Sequence, residues 1–152
     1  MSLLAAQGLT VRRGGRAILS GASVTFESGA FVAVIGANGA GKSTLLNVLA
    51  GLAKPDAGEV KLDARLLAAL PRGELAKRRA FLPQSPRCEW PISVERLVAL
   101  GLTPHLPAFG GLPADLQPKL TKAIEAFDLA DHRDQPATTL SGGELARAML
   151  AP

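Results

Sequence analysis

Short apolar, β-prone runs dominate the first part of the chain. Leu9-Thr10-Val11, Ala17-Ile18-Leu19 and Ser23-Val24-Thr25-Phe26 are separated by Gly14-Gly15 and Ser20-Gly21 and closed by Ser28-Gly29. That pattern predicts antiparallel strands joined by turns over residues 3–27. Phe31 to Ile35 is a continuous apolar, β-branched run, the pattern of a buried parallel strand. Thr44 to Ala50 then carries leucines at helical spacing and ends on Gly51, which predicts a helix. Lys54-Pro55-Asp56-Ala57-Gly58 predicts a turn, and Glu59 to Leu62 another strand. Arg72 to Arg79 predicts a short helix behind the break at Pro71. Ala80-Phe81-Leu82 reads as a brief strand running into Pro83-Gln84.

The pattern changes at Ser85. Pro86, Pro91, Pro104, Pro107, Pro113, Pro118 and Pro136 cut the following stretch into short pieces. Ser93 is placed to cap a helix over Val94 to Leu100, with Glu95 in its first turn. Asp115 is placed to cap a second helix running to about Leu129. Leu116, Leu120, Ile124 and Phe127 form one apolar stripe along it. Pro104 to Pro113 reads as a surface loop. The stretch from Ser85 to Thr139 is thus expected to be a small helical subdomain inserted into an α/β core. Leu145 to Leu150 predicts one more helix.

Composition narrows the class. The chain has 152 residues, of which 47% are apolar, enough for a packed core and too many for a disordered segment. No apolar run approaches the roughly 18–20 residues that span a bilayer, and Met1-Ser2-Leu3 lacks a basic leader region, so a soluble cytosolic chain is expected. The single cysteine, Cys88, excludes an internal disulfide and a cysteine-only metal cluster and reads as an ordinary loop thiol. The net charge of +4 is spread along the chain, densest at Arg12-Arg13 with Arg16 and at Lys77-Arg78-Arg79. Few aromatics interleave with these cations, so no nucleic-acid partner is expected. A solvated face or weak attraction to an anionic membrane surface accounts for them.

The candidate chemistry begins at Gly36-Ala37-Asn38-Gly39-Ala40-Gly41-Lys42-Ser43, which fits G-x-x-x-x-G-K-[ST] at every fixed position. It lies between a predicted strand and a predicted helix, where a phosphate cradle must sit. Its glycines allow a tight turn that aims successive N–H groups inward. The helix start adds roughly half a positive charge. Lys42 can reach β- and γ-phosphates, and the Ser43 hydroxyl can ligate Mg²⁺. Leu140-Ser141-Gly142-Gly143-Glu144 opens the last predicted helix. A serine and two glycines there offer hydroxyl and backbone donors to a second phosphate. Alone, the motif is weak and reads more readily as a plain helix cap.

With both motifs in this order, the chain resembles the ATP-binding-cassette (ABC) family over essentially all its residues. Gly36 to Ser43 is similar to that family's Walker A loop, Leu140 to Glu144 to its signature motif, and Gln84 stands at its Q-loop glutamine. The resemblance implies an α/β P-loop NTPase core with an N-terminal antiparallel β subdomain and an inserted helical subdomain. It divides the chain into residues 1–84, 85–139 and 140–152. It implies ATP and Mg²⁺ as ligands, bound through Gly36, Asn38, Gly39, Gly41, Lys42, Ser43 and Thr44. Gln84 would position Mg²⁺ and the attacking water. Ser141, Gly142 and Gly143 would reach the γ-phosphate of ATP held by a second copy in a head-to-tail dimer. The run Arg78 to Gln84, then Ile92 to Gly101 and Pro104-His105, is similar more narrowly to importer ATPases for iron-siderophore, haem and cobalamin. That implies transmembrane permease subunits as partners, a substrate-binding protein indirectly, and a place on the inner face of the membrane. Trp90 either lines the groove for a permease helix or packs within the domain. His105 and His132 read as ordinary loop histidines, because no further ligand stands near either.

The chain departs from the family pattern in three ways. It has no Tyr, and Arg13 stands near the position of the usual adenine-stacking aromatic, where a guanidinium plane can stack on a base. Leu145 and Ala146 replace usually polar positions. After the signature helix the sequence stops at Pro152, so no strand ending in an Asp-Glu pair and no later γ-phosphate-sensing histidine is present. A truncated frame or partial sequence, incomplete at the C-terminus, is therefore expected. So is ATP binding without hydrolysis, in a fragment that is poorly soluble or partly molten. The alternative function is a non-catalytic nucleotide-binding remnant. Soluble ABC proteins of translation or DNA repair fit less well, since tandem cassettes and long insertions are missing.

Overall fold

The computed structural model describes residues 3–106 and 112–151, in two compact units, Met1–Arg79 and Ala80–Pro152. In the first unit, β1 (Leu4–Arg13) and β2 (Arg16–Phe26) form a long hairpin around a two-residue Gly14-Gly15 turn. β3 (Ala57–Leu62) pairs with the other edge of β1, and β4 (Arg65–Leu66) with β3. The sheet order is β2-β1-β3-β4, all antiparallel. The expected turn at Ser20-Gly21 is instead an irregularity inside β2. Its register against β1 shifts there, and the Gly21 N–H donates to Thr10 Oγ1 at 3.2 Å. A side-chain acceptor thus replaces the ladder bond that the bulge breaks, and the strand continues. The tight Asp63-Ala64 connection between β3 and β4 has positive φ at both residues. Asp63 is held on both sides, accepting from the Leu3 N–H at 2.9 Å and from Arg78 at 2.8 Å.

One face of this sheet packs on α1 (Lys42–Leu49). Ala6, Leu9, Val11, Leu19 and Val60 from the strands meet Val48 and Leu49 from the helix, with Leu67 and Leu70 closing the end. Full burial of a side chain such as Leu9 stabilises by roughly 1.5–3 kcal/mol. α2 (Arg72–Arg78) follows Pro71 as expected and has no buried residue.

Two expected strands do not form. Phe31 to Ile35 is extended but unpaired, with Phe31 98% and Ile35 89% exposed. Ala80 to Leu82 is likewise irregular and exposed. A buried parallel strand needs a hydrogen-bonded neighbour, and among the described residues neither segment has one. The apolar composition of these runs is a demand for partners, and it does not create a strand without them.

The second unit is helical. α3 (Val94–Leu100) starts at Ser93, whose hydroxyl accepts from the Arg96 N–H, as the capping pattern predicts. α4 (Gln117–Ala126) starts later and ends earlier than expected. Asp115 lies in a preceding 3-10 turn and caps nothing, because Pro118, which lacks an N–H, occupies the first turn where that loss costs least. At the other end Asp128 takes a positive φ and stops the helix before Leu129. Leu120 and Ile124 are buried, and Leu116 and Phe127 half-buried. The core joins them to Val94, Leu97, Val98, Leu129, Ala137, Leu145 and Ala148. α5 (Gly142–Leu150) supplies Leu145 and Ala148. The expected loop at Pro104 to Pro113 lies partly outside the described residues.

Close approach of backbones fixes one position in the sheet. A Cβ on Gly58, at φ 87°, would stand 2.5 Å from the backbone of Gln7 and Gly8. Gly58→Ala is expected to cost at least about 1–3 kcal/mol by overpacking against main chain. A thermal melt followed by circular dichroism checks it, with a midpoint lower by on the order of 10 °C.

Candidate functional site

Each unit carries one half of the residues singled out by sequence. In the first, residues 36–41 turn from the unpaired Phe31–Ile35 segment into α1. Gly41 is the residue before the helix and has φ 88°. A Cβ there would meet the Ile18 carbonyl oxygen at 2.9 Å and a Leu19 methyl at 3.0 Å. Both the conformation and the seat of the loop on β2 therefore require glycine. No side chain caps α1, and no acidic residue lies in its first turn. The first N–H groups of a helix have no intrahelical acceptor, so this start keeps its donors and its positive end.

Lys42 folds back over its own loop. Its ammonium donates to the Gly36 carbonyl at 2.7 Å and to the Ala37 carbonyl at 2.8 Å. Two of its three N–H bonds are thereby directed, and the third is left for an acceptor held by the loop. Asn38, Gly39 and Ser43 are exposed, and Thr44 is half-buried. The Ser43 hydroxyl lies in the first turn of α1, beside the uncapped start. Among the described residues no group of three or more His, Cys, Asp or Glu side chains could hold a metal ion. Mg²⁺ fits here only as it fits phosphate sites in general, through one hydroxyl with phosphate oxygens and water. Arg13 is exposed at the end of β1, opposite Arg16 across the hairpin. The backbone behind it is anchored, since the Arg12 N–H donates to Asp56 Oδ2 at 2.6 Å.

In the second unit Gln84 is exposed in an irregular segment, and Trp90 is 70% exposed. The Cys88 thiol donates to the Trp90 carbonyl at 3.4 Å. Ser141 begins α5 with a complete capping box. Its hydroxyl accepts from the Glu144 N–H at 3.3 Å, and the Glu144 carboxylate accepts from the Ser141 N–H at 2.7 Å. The serine hydroxyl still has a proton to donate. The Ser141 N–H, then its hydroxyl, with His132 and Arg147 adding, hold the Glu144 carboxyl below the usual glutamate range. His132 belongs to this site although its sequence surroundings gave it no role: its Nε2 lies 3.6 Å from Glu144 Oε1. No spacing rule joins two residues so placed on different elements.

Gly142 and Gly143 differ from Gly41. Neither has a positive φ, and apart from its chain neighbours and its own helix backbone none of the described atoms lies within 4 Å of an added Cβ. Neither turn geometry nor internal packing asks for glycine there, and each glycine weakens a helix relative to alanine by up to about 1 kcal/mol. What the missing side chains provide is a bare backbone at a helix start, open to close approach from outside.

The Gly36–Ser43 loop on its β-sheet and helix frame defines the class, a P-loop α/β cassette. The chain belongs to the ABC transporter family, whose model matches residues 19–152. It is 41% identical over 150 residues to the hemin import ATP-binding protein HmuV of Streptomyces coelicolor, covering 98% of this chain and 52% of that one. It is 42% identical over 144 residues to HmuV of Rhodopseudomonas palustris, covering 90% and 48%. It is 36% identical over 151 residues to the probable siderophore transport system ATP-binding protein YusV of Bacillus subtilis, covering 99% and 55%. The chain thus spans about half the length of the curated relatives it matches. Among solved structures, an ATP-binding subunit of an ABC transporter superposes with a TM-score of 0.83 at 23% identity, over 98% of this chain and 60% of that one. A dimeric ATP-binding cassette in a post-hydrolysis state with ADP and Pi gives 0.81 at 24% identity, over 97% and 67%. These superpositions establish the ABC ATPase fold.

Two expectations follow from α5. Gly142→Ala and Gly143→Ala should leave the chain as stable as wild type or up to about 1 kcal/mol more stable in urea melts. A loss of stability would mean that packing does need these glycines. The ionised Glu144 contributes stability above the usual glutamate range, and this is lost as pH falls through its lowered value. Glu144→Gln should therefore be less stable than wild type at neutral pH, with the gap closing in acid. Urea melts across that range check the sign.

Proposed function

We propose that the chain is the nucleotide-binding part of an ABC importer ATPase that drives uptake of an iron complex, haem or cobalamin. The observation that carries this is the pair of glycines at the start of α5, which no turn or internal contact explains. A bare, donor-rich helix start suits a phosphate approaching from another molecule. In this reading Gly36, Asn38, Gly39, Gly41, Lys42, Ser43 and Thr44 hold the phosphates of ATP. Lys42 supplies the third N–H of an ammonium already oriented by its own loop. Ser43 and Gln84 are assigned to Mg²⁺, and Arg13 to adenine. Ser141, Gly142 and Gly143 reach the γ-phosphate of ATP bound to a second copy.

The residues assigned here bind, orient and neutralise charge. Ser43 and Gln84 are the residues that would hold Mg²⁺, which when bound would supply neutralising charge to the phosphates. No residue among the 152 is assigned as the base that activates water, because no apolar strand in them ends in an Asp-Glu pair. The import role draws support from the HmuV and YusV relatives, whose names describe hemin import and siderophore transport. Permease subunits are the partners this role requires, with a substrate-binding protein acting through them. The place of work is then the inner membrane face. Among the described residues no helix is long and apolar enough to cross a membrane.

Equilibrium binding of Mg-ATP to residues 1–152 tests the reading. Lys42→Ala should weaken binding ten- to a hundredfold, as expected for losing a charge-assisted bond of about 1.5–3 kcal/mol. Phosphate release by the same polypeptide should match the Lys42→Ala background. Equal ATP affinity in the two proteins would sink the assignment, and Lys42-dependent turnover would mean that a base had been missed.

A further inference from the structure

The side chains behind the signature serine form one connected chain with a single unsettled proton. The Thr139 hydroxyl donates to the Pro136 carbonyl at 2.8 Å, which leaves its oxygen to accept from Gln135 Nε2 at 2.8 Å. That fixes the Gln135 amide with its oxygen toward His132, where Oε1 lies 2.9 Å from Nδ1. Nδ1 must therefore carry a proton. The other ring nitrogen faces Glu144 Oε1 at 3.6 Å, an ion-pair distance rather than a hydrogen bond. With Nδ1 protonated, a neutral ring would aim a lone pair at a carboxylate. An imidazolium would aim an N–H at it. Turning the Gln135 amide over would let Nδ1 accept, but only by taking the Thr139 proton away from Pro136.

The other charges near His132 do not settle the matter. On its own turn Asp131 is exposed, and Arg133 is engaged with Glu95 of α3. On α5, Arg147 lies one turn beyond Glu144 and donates through Nε to the Phe127 carbonyl at 3.1 Å. Glu144 is the anion that the Nε2 edge meets. Its second oxygen, Oε2, accepts from the Ser141 N–H.

We propose that His132 is a positioning residue for Ser141, holding it through Glu144 and doing so only as the imidazolium. Protonation draws the Glu144 carboxylate into place from behind, and the carboxylate fixes the backbone of the serine that starts α5. The hold weakens as the pH rises and the ring loses its charge. The link to ATP rests on the proposed function, since Ser141 is there assigned to a γ-phosphate; the link between His132 and Ser141 does not.

NMR on the nucleotide-free chain tests it. The Ser141 amide resonance should shift with pH in step with the His132 ring signals, across the range in which those signals move. With only two histidines in the chain, His105, exposed in a separate 3-10 turn, serves as the internal reference. His132→Gln should abolish the pH dependence. Glu144→Gln should abolish it as well, although a glutamine can still close the capping box. The Ala148 amide, buried on α5, should report an intact helix in both variants. A Ser141 amide that is flat over this range in wild type, a reading that needs no variant to fold, would overturn the proposal. So would an unchanged titration in His132→Gln. If Ser141 titrates as expected but Mg-ATP does not bind, the positioning role stands and the functional assignment falls. If Mg-ATP binds and Ser141 is flat, the reverse holds.

Discussion

A helix cannot satisfy its own first N–H groups, and the features of this chain that bear on function follow from how that constraint is met at two helix starts. At α1 it is met by nothing inside the described structure: the residue before the helix is a glycine, and no side chain accepts from the first turn. The nearby cation, Lys42, spends its bonds on loop carbonyls rather than on a carboxylate that would cancel the positive end. At α5 the constraint is met partly. Ser141 and Glu144 satisfy one donor each, while the glycines between them bring no side chain that could cover the rest. One helix start is left open, the other is braced from behind.

The bracing has an electrostatic consequence. A carboxylate that caps a helix start also cancels part of the charge that would attract an anion. In α5 that carboxylate is directed back onto the Ser141 backbone, with His132 and Arg147 near enough to lower its proton affinity. Arg147, and His132 when protonated, offset its charge, so the serine keeps a stable backbone without the helix start becoming strongly negative. α1 needs no such compensation, because its first turn contains no acid. The same local problem thus has two solutions, and they differ in how much of the anion-attracting field survives.

Much of this was legible in the sequence because it is local. The Walker-type loop, the Ser93 cap and the extents of α2 and α3 depend on residues within a few positions of one another, whereas α5 begins at Gly142, ahead of the predicted Leu145. What was not legible depends on distant partners. Ser20-Gly21 reads as a turn unless one knows that Thr10 supplies an acceptor across the hairpin. The Asp63-Ala64 turn has no glycine to announce it and is held by Leu3 and Arg78. Asp115 looked like a helix cap until Pro118 claimed the first turn of α4. His132 looked idle because Glu144 reaches it only through the fold. The Phe31–Ile35 run was misread for the same reason in reverse. Its composition is right for a central strand, but composition cannot supply the neighbouring strands that would make it one.

That segment also bears on the loop it precedes. Gly36 follows Ile35 directly, so the entry to the phosphate loop is set by a stretch with no ladder bonds among the described residues, while the exit is set by Gly41 packed on Ile18 and Leu19. The two ends are therefore held by forces of different kinds. Steric contact fixes the exit to within a few tenths of an ångström, because a single methyl group would not fit there. The entry is held by chain connectivity, by the Ala40 N–H donating to the Ala37 carbonyl at 3.2 Å, and by the Lys42 ammonium, which ties Gly36 and Ala37 to the start of α1. Lys42 is in this sense a structural member of the loop before it is a ligand for anything. A phosphate that drew the ammonium fully away from those carbonyls would loosen the loop's entry, whereas one that engages only the third N–H leaves it tied. The loop is best suited to a ligand that adds to the lysine's bonds without replacing them.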